Sequence, residues 1–164
     1  MNIEDMEKRL QSLETRLQAT EDLEAIKQLH YKYMDGMTQT RWDEVLDCFA
    51  EDATIDITPS GQVIGKGIAE IRRQYNNLAK VHIGKDIDFA IHPRISVNGN
   101  KAKGKWLMYL GMYKINDAKQ QEWVMNQGVY NAEYVKINGQ WKFSFLQHRP
   151  RRIEPVDEFR HPEP

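Results

Sequence analysis

Four side chains in this sequence have types and spacings suited to moving a proton. His30 and Tyr33 sit three residues apart in "LEAIKQLHYKYMDGM", and Asp88 and His92 sit four apart in "DFAIHPRI". A phenol can give a proton or a hydrogen bond to a substrate oxygen, whereas a carboxylate or a neutral imidazole can take a proton. If the second stretch is a regular strand, Asp88, Ala90 and His92 share a face because side chains alternate. Asp88 and His92 would then lie roughly 13 Å apart at ~3.3 Å per residue, too far to bond but able to act on two ends of one ligand. For His92 the competing account is a strand-end residue satisfied by backbone or water. For His30 it is a hydrogen-bonded core histidine, which is the better supported of its two accounts. His82 falls near a loop and is assigned no role.

Other chemistries find no support. There is no Walker, dinucleotide or zinc-spacing pattern, so neither a cofactor nor a metal is expected. Cys48 is the only cysteine and "MNIEDMEKRL" lacks the apolar core of a signal peptide, which makes a reducing cytoplasm the expected location. No run approaches the ~20 apolar residues that span a bilayer. With 23 basic against 24 acidic residues the formal charge is −1, so net charge gives no reason to bind nucleic acid or an anionic membrane. At 164 residues and 40% hydrophobic composition, one domain with a single core is expected.

The elements that must position these groups are legible from periodicity. Met6, Leu10, Leu13 and Leu17 repeat at alternating spacings of four and three, an amphipathic helix among Glu, Lys, Arg and Gln. A helix packed on its own domain is favoured over a self-association seam, because the pattern falls short of about three heptads. Ile26, Leu29, His30, Tyr33 and Met37 form the buried stripe of the next helical segment. Thr40 is placed to cap the helix after it, with Asp43 completing a capping-box-like pattern and Trp42, Val45, Leu46 and Phe49 inward. The period then drops to two around Ile55 and Ile57, and returns to helical through Ile68, Ile71, Tyr75 and Leu78. Beyond that, Asn98-Gly99 and Asn138-Gly139 each mark a hairpin between long strands. Helices followed by an antiparallel meander indicate an α+β domain, a curved antiparallel sheet wrapped around N-terminal helices to form a cone.

Alternation also selects walls for a pocket inside that cone. In "KAKGKWLMYLGMY" the parity of Ala102, Gly104 and Met108 makes Trp106 an inward residue, opposite the face of Lys101, Lys103 and Lys105. In "EWVMNQGVYNAEY" both parities mix apolar and polar residues, so Trp123 and Asn126 both remain lining candidates. Along the last strand, Trp141, Phe143 and Phe145 share a parity that continues to Gln147 and Arg149. A solvated basic tail or a subunit contact is the competing account of "HRPRR".

The order of "LEAIKQLHYKYMDGMTQTRWDEVLDCFAEDATIDI", "GKGIAEIRRQY", "HPRISVNGNKAKGKW" and "GVYNAEYVKINGQWKF" resembles the SnoaL-like branch of the nuclear transport factor 2-like superfamily, from about Leu23 to Phe145. Within it the chain is most similar to the bile-acid dehydratase and lindane dehydrochlorinase group. The resemblance implies a conical pocket, and in dehydratase-like members an acid–base dyad. Its Asp lies four residues before the Trp that opens the second helix, and its His five residues before the Pro of a "PxI" strand. Those positions hold Thr38 and Asp88 here. A threonine hydroxyl cannot charge-stabilise an imidazolium as a carboxylate does, so any chemistry is arranged differently. By the same resemblance Tyr33 matches a pocket tyrosine, Arg149 falls within a residue of a pocket arginine, and the Asp88 face of its strand looks into the cavity. A carboxylate there is costly unless used or paired.

What this implies is a cofactor-free lyase acting on a hydrophobic, oxygenated small molecule such as a steroid or lignin-type phenolic. Tyr33 would engage the substrate oxygen, Asp88 or His92 would be the base, and Arg149 would orient a carboxylate or phenolate, with Thr38, His30, Trp106, Trp123 and Asn126 as contacts. A non-catalytic binding or assembly module is the alternative, and a polyketide-type cyclase or isomerase a third. The expected layout is an N-terminal helix at 1–19, the cone domain at 20–150 and a tail at 151–164. A homo-oligomer, dimer or trimer, is expected, because the Leu10-Leu13-Leu17 helix needs a cover and curved sheets of this kind present one face.

Overall fold

The structure is a computed structural model in which residues 2–57, 65–79, 87–115 and 119–151 are described. The two N-terminal helical segments are one helix, α1, running from Ile3 to Thr38 without a break. No Gly or Pro interrupts "LQATEDLEAIKQ", so nothing stops propagation between the two stripes. Its start is closed by a capping box in which Asn2 accepts from the Asp5 N–H and the Asp5 carboxylate accepts from the Asn2 N–H.

The first stripe does not pack on the domain. Every α1 residue through Glu21 is exposed, and burial begins only at Asp22. At that point the Asp22 carboxylate accepts from Lys136 Nζ (2.7 Å) and Trp141 Nε1 (2.9 Å), fastening the middle of the helix to the far end of the sheet. Burial by itself raises the Asp22 pKa, but these bonds outweigh it and the net shift is downward.

Helix α2 spans Trp42–Asp47, strand β1 Phe49–Asp56, strand β2 Gly65–Lys66 and helix α3 Ile68–Ala79. The expected cap of α2 is not formed. Arg41 occupies the N-cap position, and its side chain makes no capping bond, while Thr40 has φ +56° and turns the chain. Four long strands follow: β3 (Ile87–Asn98), β4 (Lys101–Ile115), β5 (Gln121–Ile137) and β6 (Gln140–Arg151). Residues beyond Arg151, most of the expected tail, lie outside the described residues.

All six strands form one curved, open sheet in the order β2-β1-β6-β5-β4-β3. The run β3 to β6 is the antiparallel meander read from the hairpin signals, whereas β1 joins β6 in parallel, so the sheet is mixed. Asn138 (φ +50°) and Gly139 (φ +80°) make a tight two-residue turn with positive φ at both positions. The other hairpin turns on Gly99 (φ +56°) and Asn100. The helices lie in the concavity, giving an α+β cone. Its core joins Ile26 and Tyr33 of α1, Val45 of α2 and Ile71 and Tyr75 of α3 to Trp106, Tyr134 and Phe143 of the sheet. Each aliphatic side chain buried completely, such as Ile26 or Ile71, contributes about 1.5–3 kcal/mol.

Two bulges decide which residues the concave face receives. On β3 the ladder passes from Ile91–Leu107 to Arg94–Lys105, so His92 and Pro93 together oppose Trp106. On β6 it passes from Phe143–Tyr134 to Phe145–Glu133, leaving Ser144 as the extra residue. Parity inverts at each. The convex face beside the β3 bulge carries exposed Ile87, Phe89 and Ile91 along with Trp123 and Met125.

Candidate functional site

The concave face gathers hydroxyls. Tyr33 faces inward because it continues the Ile26, Leu29, His30 stripe of α1, and its hydroxyl is 2.9 Å from that of Tyr75, which α3 buries on the same stripe as Ile71. Tyr130 of β5 joins this pair through an edge-on ring contact with Tyr33, centroids 6.2 Å apart. All three phenols are pushed above their ordinary pKa, by burial first. The charge of Asp88 adds to this at each of the three, while the bond to Tyr33 works against it at Tyr75. They are therefore protonated donors near neutral pH and not bases.

Asp88 is half-buried on β3 and also lines a cleft of about 350 Å³ with Thr38, Met34, Asp35, Tyr31, Phe89 and Ala90. Thr38 and Asp88, the two positions where the resemblance puts a dyad, thus stand on the walls of one cleft between α1 and β3. The carboxylate borders the cleft and is felt by the tyrosine cluster. His148 lies against Tyr130, ring centres 5.5 Å apart, and its buried Nε2 has no hydrogen-bond partner among the described residues. Burial and the nearby Arg149 charge lower its pKa, so it is neutral at pH 7 and able to accept a proton.

His30 is a satisfied core residue on one edge. It stacks on Trp106 at 4.1 Å, and its Nδ1 lies 3.3 Å from the Tyr134 hydroxyl, which accepts from Trp106 Nε1 at 2.9 Å. The phenol therefore has its own proton to give to Nδ1. Burial drives the His30 pKa down to about 3. Its Nε2, like that of His148, is buried without a described partner. Trp106 is inward and fully buried, as its parity requires, and acts as the floor beneath His30.

Three expected contacts lie elsewhere. His92 does not share a face with Asp88: it has φ +51° at the bulge and is exposed. Arg149 faces the convex side, where it pairs with Asp56, because the extra residue Ser144 inverts the parity carried from Phe143. The same inversion sends Phe145 to the convex side and turns His148 inward. Trp123 is 40% exposed and lies over Gly111 on the outer side of β4. Asn126 pairs with Leu110 in the ladder, but its side chain lies outside the described ones, as does all of His82. Tyr75, Tyr130 and His148 are the polar groups that sequence reasoning did not select. The first was visible as a buried stripe residue, whereas His148 was hidden by a bulge no local pattern announces.

Among the described residues no three His, Cys, Asp or Glu side chains come together as a metal site, and no helix is long and apolar enough to cross a membrane. Cys48 is buried, with its thiol pushed up to about 12, chiefly by burial, which makes it unreactive.

Residues 18–147 match the model of the SnoaL-like domain, and the chain belongs to that family. Among solved structures it is similar to the hexachlorocyclohexane dehydrochlorinase LinA-type3 from Novosphingobium barchaimii LL02, at 21% identity and a TM-score of 0.73, over 91% of this chain and 99% of that one. It is also similar to a provisionally assigned scytalone dehydratase from Novosphingobium aromaticivorans DSM 12444, at 17% identity and a TM-score of 0.70, over 82% and 87% of the two chains. A third is a variant form of Rv3472, a protein of unknown function from Mycobacterium tuberculosis, at 21% identity and a TM-score of 0.69, over 85% and 76%. At these identities the likeness establishes the fold.

Proposed function

We propose that this protein is a cofactor-independent lyase that eliminates water or another small fragment from a hydrophobic, oxygenated substrate such as a steroid or an aromatic compound of the lignin type. The observation that carries the proposal is the cleft between α1 and β3 that the Asp88 carboxylate lines, together with the effect of its charge on three buried phenols. In the reaction the Asp88 carboxylate takes a proton from carbon. The freed electron pair forms the new double bond, and the carbon–oxygen bond to the leaving group breaks. Tyr33, with Tyr130 beside it, donates a hydrogen bond to the oxygen on which charge develops. The departing oxygen takes the Tyr33 proton and leaves as water, and the proton held by Asp88 then passes to the phenolate, which restores both groups. The dehydrochlorinase and dehydratase named above are both elimination enzymes by name, which supports the reaction class.

A non-catalytic ligand-binding module is the second reading, favoured by Thr38 at the position of the family's acid. A thermal-shift screen of hydroxylated steroids and phenolics, followed by mass spectrometry for loss of water from each stabilising compound, separates the two. Turnover that persists in Asp88→Asn would remove the lyase assignment as written. Stabilising ligands recovered unchanged would leave a binding module.

A further inference from the structure

The first nineteen residues of α1, Ile3 through Glu21, project about 28 Å beyond the point where Asp22 fastens the helix. Nearly all of this arm precedes residue 18, where the family match begins, so it is an addition to the shared domain. It carries Ile3, Met6, Leu10, Leu13 and Leu17 on one line, all between 45% and 71% exposed. In heptad terms Ile3, Leu10 and Leu17 are a positions and Met6 and Leu13 are d positions, a narrow apolar seam.

Charge identifies what covers this seam. Glu7, Glu14 and Glu21 occupy the e positions, and Arg9 and Arg16 occupy g. None of these five belongs to an ion pair found within the chain among the described residues, whereas Lys8 is bonded to Glu4 on the outer side of the helix. We infer that the arm forms a parallel, in-register coiled coil with the arm of a second copy of this chain. In that arrangement Arg9 of one arm falls beside Glu14 of the other, Arg16 falls beside Glu21, and both pairs occur twice. An antiparallel pairing would instead set arginine against arginine and glutamate against glutamate. A lipid surface is a poorer fit. Membrane-surface helices have a broad apolar face and a basic polar face, whereas here Glu4, Asp5, Glu7, Glu14 and Glu21 outnumber Lys8, Arg9 and Arg16.

The seam is shorter than three heptads, which would be marginal for a free peptide because the helix would have to form on association. Here the helix is already built. The capping box closes one end and the anchored half of α1 continues from the other, so little ordering entropy remains to oppose pairing.

The test uses the full chain bearing Met6→Cys, with Cys48 buried and out of competition. Mild oxidation should give a disulfide-linked dimer, and adding Leu10→Glu with Leu13→Glu should abolish it, while thermal unfolding of the domain is unchanged because these side chains are exposed. In the same background, Arg9→Glu with Arg16→Glu should not cross-link alone, nor should Glu14→Arg with Glu21→Arg. An equal mixture of the two should cross-link as a heterodimer. Absence of cross-linking in Met6→Cys overturns the proposal, as does cross-linking indifferent to the leucine changes. If the leucine changes dissociate an oligomer that Met6→Cys fails to cross-link, the arm sits on another surface, such as the convex apolar patch around Phe89 and Trp123, and the coiled coil is wrong.

Discussion

The hydroxyls of Tyr33 and Tyr75 are 2.9 Å apart although 42 residues separate them, because α1 and α3 both turn a buried stripe toward the same concave wall of the sheet. This bond fixes one edge of the tyrosine cluster, and on its other sides the Tyr33 ring meets Tyr130, His30, Phe49 and Phe143. The two tyrosines are thereby distinguishable by experiment.

Tyr33→Phe should lower turnover by roughly 10²–10⁴, as expected for loss of a proton-transfer group, with a small change in melting temperature because the ring is retained. Tyr75→Phe removes only the supporting bond and should cost less. Steady-state kinetics beside thermal unfolding of both variants checks this, and equal, small losses of turnover would point to a binding site.

At the cleft, Thr38→Ala should leave turnover within a few-fold and Asp88→Asn should reduce it by roughly 10²–10⁴. Thr38→Asp adds a carboxylate near that of Asp88 in a cleft that Asp35 lines as well. The two would repel, so activity should fall at neutral pH. A rise in elimination activity in Thr38→Asp would instead mean that the family's original arrangement is nearly intact.

Arg149→Ala should leave kcat and KM within a few-fold, since this side chain is on the convex face paired with Asp56. The cost should fall on stability, about 1–3 kcal/mol by denaturant unfolding, from removing the cation beside a buried carboxylate. A large rise in KM alone would show that Arg149 reaches the substrate after all.

His30 predicts the acid limb of stability. Its folded pKa of about 3 lies below the ordinary 6.5, so between those values the unfolded chain binds the extra proton. Stability should fall as pH drops from about 6.5 toward 3, by up to about 1.4 kcal/mol per unit from this group. His148, lowered in the same direction, adds to the trend. Denaturant midpoints measured from pH 7 to pH 4 should show a shallower slope in His30→Gln than in the unchanged protein. An identical slope would assign the acid limb to other groups.

The sequence by itself determined the class of fold and the inward stripe that carries Tyr33, because a helix of period 3.6 and a strand of period 2 announce their buried faces locally. Asn138-Gly139 likewise fixed a hairpin, since few other residue pairs accept positive φ twice. Trp106 was also legible, lying on an unbroken alternation with Ala102, Gly104 and Met108. What only the tertiary structure decided is everything beyond a bulge. The extra residues at His92 and Ser144 invert parity, expose His92, exchange Arg149 for His148 on the concave face, and depend on how neighbouring strands pair instead of on their own composition. The ladder register placed Trp123 outside, where alternation within β5 was ambiguous. The nearness of Tyr75, Tyr130 and Asp88 to Tyr33 also arose only on folding, because those residues come from four elements whose separation in the chain carries no record of their contact.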